Sequence, residues 1–155
     1  MKKYSPSQAI EKIRHYCAYQ ERSHQETRKK LFDYGLHTSD VENILSELIT
    51  DGFLNEERYA KAFAGGKFRI KKWGKLKIVR DLEMKGLSKN CLQIALKEIG
   101  DEDYLKTLHD ILTKKFTLLL DEELFIKKEK AAKYAIQKGF EPELVWKTVK
   151  EIVPK

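Results

Sequence analysis

The chain has 155 residues, of which 41% are hydrophobic and 35% charged, with 8 Gly, 3 Pro and 2 Cys, a balance that excludes the disordered, collagen-like and disulfide-stapled classes. Lys and Arg number 31 against 24 Asp and Glu, for a net charge of +7, and the mean hydropathy of −0.58 implies thin cores and much solvated surface. No apolar run exceeds four residues, whereas a membrane-spanning helix needs about 20. No apolar segment follows Lys2 and Lys3 either, so no membrane contact is expected and a cytoplasmic location is. Cys17 and Cys91 lack a CxxC spacing and read as reduced packing residues.

Taken in chain order, apolar positions three and four apart predict a first helix from Ser5 to Tyr19, built on Ala9, Ile10, Ile13, Tyr16 and Cys17. Ser23, with Glu26 three residues on, has the form of a capping box opening a second helix, which runs toward Gly35. Thr38 opens a third. After Gly52-Phe53-Leu54, Asn55 caps a fourth that extends to about Lys72 with Tyr59, Ala60, Phe63 and Ala64 on one face. Gly65 and Gly66 fall inside it, each costing about 1 kcal/mol against Ala, so a kink or an early end is expected there. Two reasons for the pair stay open: a bend that aims Lys67 to Lys77 at a ligand, or the close approach of another helix. A further helix ends at Gly86, Ser88 caps the next, and another runs from Asp103 to about Leu120 on Leu105, Leu108, Ile111, Leu112 and Phe116. The last pair is divided by Gly139 and restarted by Glu141-Pro142. No alternating strand pattern occurs.

The same phrase is written three times around Gly35, Gly86 and Gly139, which are 51 and 53 residues apart. Leu31, Leu82 and Ala135 stand before the glycines, and Leu36, Leu87 and Phe140 after them. Further on, each second helix carries an apolar stripe: Val41, Leu45 and Leu48, then Leu92, Leu96 and Ile99, then Val145, Val149 and Ile152. These offsets describe a helix ending at a left-handed glycine, an apolar residue folding back over it, and a second amphipathic helix. The expected fold is all-α: three tandem three-helix repeats over residues 1–54, 55–100 and 101–155, leaning on one another in an elongated, curved array. No long heptad demands a dimer, so a monomer is expected.

Charge is concentrated in the middle repeat. From Lys67 to Lys89 nine basic residues stand against Asp81 and Glu83, an excess equal to the net charge of the whole chain. Such a stretch fits a polyanion or an acidic protein groove, although a solvated helix face with no partner remains an alternative. The candidate binding residues are Lys67, Arg69, Lys71, Lys72, Trp73, Lys75, Lys77 and Arg80, with Arg69 and Arg80 suited to bidentate contacts with carboxylate or phosphate. Trp73 reads either as an interface anchor or base-stacking platform or as a staple onto its own bundle. Arg58 and Tyr59 read as structure within their repeat. Arg14, Arg22, Arg28, Lys29 and Lys30 form a weaker basic group, and Lys127, Lys128, Lys130 and Lys133 a solvated helix face.

No enzyme reading survives. Cys17 and His15 are two residues apart on different sides of a helix, and no glycine-rich elbow surrounds a serine. The four histidines have no paired spacing, so no metal is expected. The acids Asp101-Glu102-Asp103 and Asp121-Glu122-Glu123 sit at helix starts, where they favour the dipole, and the absence of a glycine-rich phosphate loop leaves no cofactor expected. A different class, a DNA-binding protein of helix-turn-helix type, would need a base-reading helix. Lys89, Asn90, Gln93 and Lys97 offer a modest one, consistent with weak, sequence-indifferent affinity.

Three strings together resemble the RecX family of bacterial recombination regulators: Tyr16-Cys17-Ala18-Tyr19-Gln20-Glu21-Arg22-Ser23; Gly52-Phe53-Leu54-Asn55-Glu56-Glu57-Arg58-Tyr59-Ala60; and Trp73-Gly74 with Ile78, Leu82, Gly86 and Leu87. The resemblance covers nearly the whole chain, is densest from Tyr16 to Leu87, and is weak in the third repeat, which keeps Lys138-Gly139-Phe140. It implies a non-enzymatic negative regulator of RecA, made of three tandem three-helix bundles, that binds in the groove of the RecA filament on DNA. Restraint of recombinase, ATPase and coprotease activities would follow from that binding.

Overall fold

In a computed structural model, residues 3–153 are described. Met1, Lys2, Pro154 and Lys155, at the two ends of the expected repeats, lie outside them. The described residues form nine α-helices and one π-helical turn, with no strand. The first group is α1 (Pro6–Tyr19), α2 (His24–Asp33) and α3 (Thr38–Thr50). The second is α4 (Glu56–Gly66), the π turn (Lys67–Lys71), α5 (Lys75–Met84) and α6 (Lys89–Leu96), and the third α7 (Asp101–Leu118), α8 (Leu124–Gln137) and α9 (Pro142–Ile152).

Local chemistry sets most of these ends. Ser5 and Ser23 each close a reciprocal capping box, with Gln8 and Glu26, so two of the four orphan N–H groups at each start are satisfied. Asn55 accepts from the backbone of Arg58, and Ser88 from that of Cys91. The three repeated glycines all lie at positive φ, +85°, +82° and +103° for Gly35, Gly86 and Gly139, a region that costs any residue with a Cβ about 1–2 kcal/mol. Just past them the main chain folds back, Leu87 donating to the Leu82 carbonyl and Phe140 to that of Ala135, both at 3.2 Å. This is the hydrogen bond that ends a helix on a left-handed residue.

The α-helix ends early, at Gly66, but the chain stays helical through the pair. Gly66 keeps right-handed helical angles and the chain runs on into the π turn, which ends at Lys72 with φ +60° and ψ +39°. Gly65 is buried because the guanidinium of Arg69 lies against it, 2.8 Å from where a Cβ would stand. The glycine therefore accommodates a side chain of its own helix, while a Cβ at Gly66 would meet nothing within 4 Å.

Burial divides the helices into two cores instead of three. Ala9, Ile13, Leu31, Val41, Leu45 and Leu48 belong to a cluster confined to the first group and closed by Leu54. The second and third groups share one continuous cluster in which Ala64, Phe68, Ile78 and Leu82 pack with Tyr104, Leu108, Leu112, Ala131 and Phe140. The joint between the cores is polar. Arg58 Nε donates to both Glu21 carboxylate oxygens and an NH2 group of Arg58 to the Gly52 carbonyl at 3.0 Å, while His24 Nδ1 lies 3.1 Å from Glu56. Arg58 thus joins two helix groups, although its spacing in the sequence assigns it to one. The turn between α7 and α8 leaves Leu118, Leu120 and Phe125 more than 70% exposed, an apolar surface that periodicity alone does not signal.

The second and third groups meet main chain to main chain. The N–H groups of Gly74 and Leu76, at the start of α5, donate to the carbonyls of Lys138 and Gly139 at the end of α8, at 2.8 and 2.9 Å. One helix end supplies the acceptors that another lacks, and the two dipoles run head to tail. Hence α5 has no side-chain cap. A Cβ on Gly74 would stand 2.2 Å from the Gly139 carbonyl carbon and the Phe140 nitrogen, a distance no packing adjustment can absorb.

Gly74→Ala is therefore expected to destabilise the protein by about 3 kcal/mol or more, beyond ordinary overpacking because the clash is with backbone. Gly66→Ala, with open space at its Cβ, should stabilise by about 0.5–1 kcal/mol. Urea unfolding of the two variants checks both signs.

Candidate functional site

The basic segment is held between two helix ends. Phe68, 7% exposed, pins the π turn to the core, its ring 5.9 Å from that of Tyr104. Around that anchor the charged side chains diverge. Lys67 and Lys77 place their ammonium groups 4.9 and 4.5 Å from the centre of the Trp73 ring, and the edge of that ring meets Phe63 at 6.4 Å. Trp73 is half-buried, so it serves its own bundle and presents a cation-flanked face at once.

Lys75 has a structural task. Its backbone N–H donates to the Tyr104 hydroxyl at 3.0 Å, and its ammonium lies 4.6 Å from that ring and 3.8 Å from Asp101. The Tyr104 hydroxyl in turn donates to Glu141, and its ring stacks on Phe140 at 5.0 Å. Burial and the Glu141 carboxylate push the Tyr104 phenol far above its ordinary pKa, so it remains a donor throughout the usable pH range. Arg69 is exposed with its guanidinium over Gly65. Lys71, Lys72 and Arg80 are exposed as well. The eight candidates thus share a segment without sharing a single face: Lys67, Trp73 and Lys77 come together, Lys71 and Lys72 cap the π turn, and Lys75 turns inward to the junction.

Two features are hidden in the sequence. Ile70, in the middle of the cations, is 78% exposed, an apolar side chain that its flanking charges disguise. Second, the third group contributes cations to the same neighbourhood. The ammonium of Lys138 donates to the Lys71 carbonyl at 3.0 Å, and Lys72 lines a cavity with Lys114, Lys115 and Lys138. The spacing of Thr107, Ile111, Lys114 and Leu118 along α7 is the signal that could have found them. The weaker group is largely engaged otherwise: Arg28 pairs with Glu42 at 2.8 Å, which holds the Glu42 carboxyl below its ordinary range, and Arg22 covers the Tyr16 ring at 3.7 Å. Burial raises the Cys17 thiol, so it is a packing group and not a nucleophile. Among the described residues no three His, Cys, Asp or Glu side chains gather as a metal site, and no helix is long and apolar enough to cross a membrane.

Known proteins resemble the chain in sequence and in fold. The family model described as RecX, second three-helix domain, matches residues 55–96, the group that carries the basic segment. Regulatory protein RecX of Lactococcus lactis subsp. cremoris (strain SK11) is 30% identical over 129 residues, 81% of this chain and 48% of that protein. The chain is similar to RecX proteins along most of its length. A RecX regulatory protein from Prosthecochloris aestuarii (strain DSM 271 / SK 413) is 27% identical over 138 residues, covering 89% of each chain. The chain therefore spans about half the length of the Lactococcus relative but most of the Prosthecochloris one. A crystal structure of RecX from Lactobacillus salivarius matches with a TM-score of 0.86 at 21% identity over 95% of this chain and 96% of that one. That likeness shows the all-α helical-repeat fold.

Lys72 is the only non-glycine residue with positive φ among the described residues. Lys72→Gly is expected to stabilise the protein by about 1 kcal/mol by removing the left-handed penalty, read as a rise in urea midpoint at constant m-value.

Proposed function

We propose that this chain is a RecX-family protein and a cytoplasmic, non-enzymatic negative regulator of RecA, seating monomeric in the groove of the RecA filament on DNA and restraining its recombinase, ATPase and coprotease activities. The observation that carries this reading is the rigidly mounted basic segment: Lys67, Arg69, Lys71, Lys72, Trp73, Lys77 and Arg80 run from the π turn into α5, whose start is hydrogen-bonded to the third helix group. A filament groove offers protein carboxylates and nucleic-acid phosphates together, and a preorganised cation array gives up little entropy in meeting them. Ile70, exposed among the charges, supplies an apolar contact that a purely phosphate-binding surface would not need. Lys75, tied to Tyr104 and Asp101, positions the segment and stands outside the contact set.

The experiment follows ATP hydrolysis by RecA of the same organism on single-stranded DNA as the protein is added at two salt levels, with a DNA-only titration alongside. Inhibition at concentrations well below those that bind bare DNA supports the filament reading, and weaker inhibition at the higher salt is expected from screening. Tight DNA binding with no inhibition replaces it by a sequence-indifferent DNA-binding protein, for which α6 presents Lys89, Asn90 and Gln93, with Lys97 at its C-cap.

Changing Lys67, Lys71 and Arg80 together to Glu should raise the concentration for half-inhibition by about a hundredfold, at about 1 kcal/mol for each exposed charge contact removed, with helical content unchanged. Full inhibition by the triple variant would remove these residues from the binding surface.

A further inference from the structure

The cavity between the end of the π turn and helices α7 and α8 has a volume of about 300 Å3 and is lined by Lys72, Lys114, Lys115 and Lys138. These four come from three separate elements, and none of them takes part in an ion pair among the described residues. Asp110 is the one carboxylate in the lining, so the cavity carries an excess of about three positive charges before any ligand enters. Its apolar surface is Ile111, Leu118 and the ring of Tyr134. That ring holds two of the ammonium groups, Lys115 at 4.7 Å and Lys138 at 5.6 Å from its centre. Lys138 is fixed further by its hydrogen bond to the Lys71 carbonyl. Lys72 reaches the cavity from its left-handed backbone position, a conformation the chain holds at a cost.

A cavity with several cations, one acid and an aromatic-aliphatic lining matches a ligand that is anionic at one end and flat and apolar at the other. We propose that this cavity binds one nucleotide unit, its phosphate between Lys72, Lys115 and Lys138 and its base or sugar over Ile111 and Leu118 beside Tyr134. The volume admits a mononucleotide and not a duplex. The site rests on the nucleic-acid contact proposed above for its occupant, and deepens it by placing a strand nucleotide on the third helix group, outside the segment that charge patterning selects. The same chemistry is presented by a nucleotide of a single strand and by a free nucleoside triphosphate, so both serve as probes.

The test measures fluorescence anisotropy of an oligothymidylate of about a dozen residues, a length suited to a single-strand groove, and separately of a fluorescently labelled adenosine triphosphate. The proteins are the native chain, Lys114→Gln with Lys115→Gln, and a control carrying Lys61→Gln with Lys150→Gln, exposed lysines outside the cavity lining. The cavity pair should weaken binding at least about tenfold more than the control, as removal of charge-assisted hydrogen bonds requires. It should also reduce the slope of log affinity against log salt by about 0.7, the single-strand value for one phosphate no longer neutralised. Binding of the oligothymidylate alone identifies a strand nucleotide, and binding of both probes in competition identifies a general nucleotide site. Equal weakening by the two pairs, or no binding of either probe to the native chain, overturns the proposal. Failure of the filament reading looks different: the native chain would then leave RecA hydrolysis untouched while still binding a probe through the cavity.

Discussion

Everything that places charge on this protein depends on the backbone contact between Gly74 and Gly139. Two N–H groups at the start of α5 find their acceptors on the last turn of α8, so neither helix end needs a side-chain cap, and no side chain could be inserted where Gly74 stands. Once that contact forms, Tyr104 falls between Phe68, Phe140, Lys75 and Glu141, and the π turn has no freedom to swing. The basic segment is therefore part of a two-group body, and cations that are distant in sequence, Lys72 and Lys114 for example, line one cavity.

The other junction is built from different materials. Arg58 with Glu21 connects the first helix group to the second at a partly exposed position, where an ion pair contributes about 0–1 kcal/mol, and His24 lies 3.1 Å from Glu56 beside it. The cores on either side do not merge. By contrast, the junction of the second and third groups buries Tyr104, Phe140 and Ala132 completely or nearly so, and large apolar side chains buried in that way contribute about 1.5–3 kcal/mol apiece. Resistance to relative movement is thus concentrated on the C-terminal side of the chain.

The part of the structure legible in the sequence is the part set locally. Gly35, Gly86 and Gly139 mark left-handed helix ends because only glycine takes that conformation cheaply, and Ser23 with Glu26 marks a helix start because the two side chains answer each other's backbone. The π turn is illegible for a physical reason: Gly65 and Gly66 destabilise a helix on propensity alone, yet Phe68 is held in the shared core and Arg69 lies on Gly65, so tertiary packing carries the helix through. Arg58 reads as a residue of its own repeat because its partner, Glu21, lies on the far side of a junction that spacing cannot reveal. Lys75 groups with its neighbours because charge patterning does not say which lysine has an internal partner. The stripe from Thr107 to Leu118 is readable as an amphipathic face, but which part of it the rest of the chain leaves uncovered is not.

The position of Lys72 connects these observations. Left-handed backbone at a residue with a long side chain costs about 1–2 kcal/mol, and glycine would avoid the cost without disturbing any hydrogen bond made by the backbone. What glycine would remove is the ammonium group, which reaches the cavity shared with Lys114, Lys115 and Lys138. The turn geometry is dictated by the π helix behind it and the Gly74 contact ahead of it, so the backbone strain at this residue is imposed by architecture while the lysine side chain is not. A cation kept at a strained position, with no ion-pair partner among the described residues, at the point where two helix groups meet, is accounted for by an anion that the protein itself does not supply.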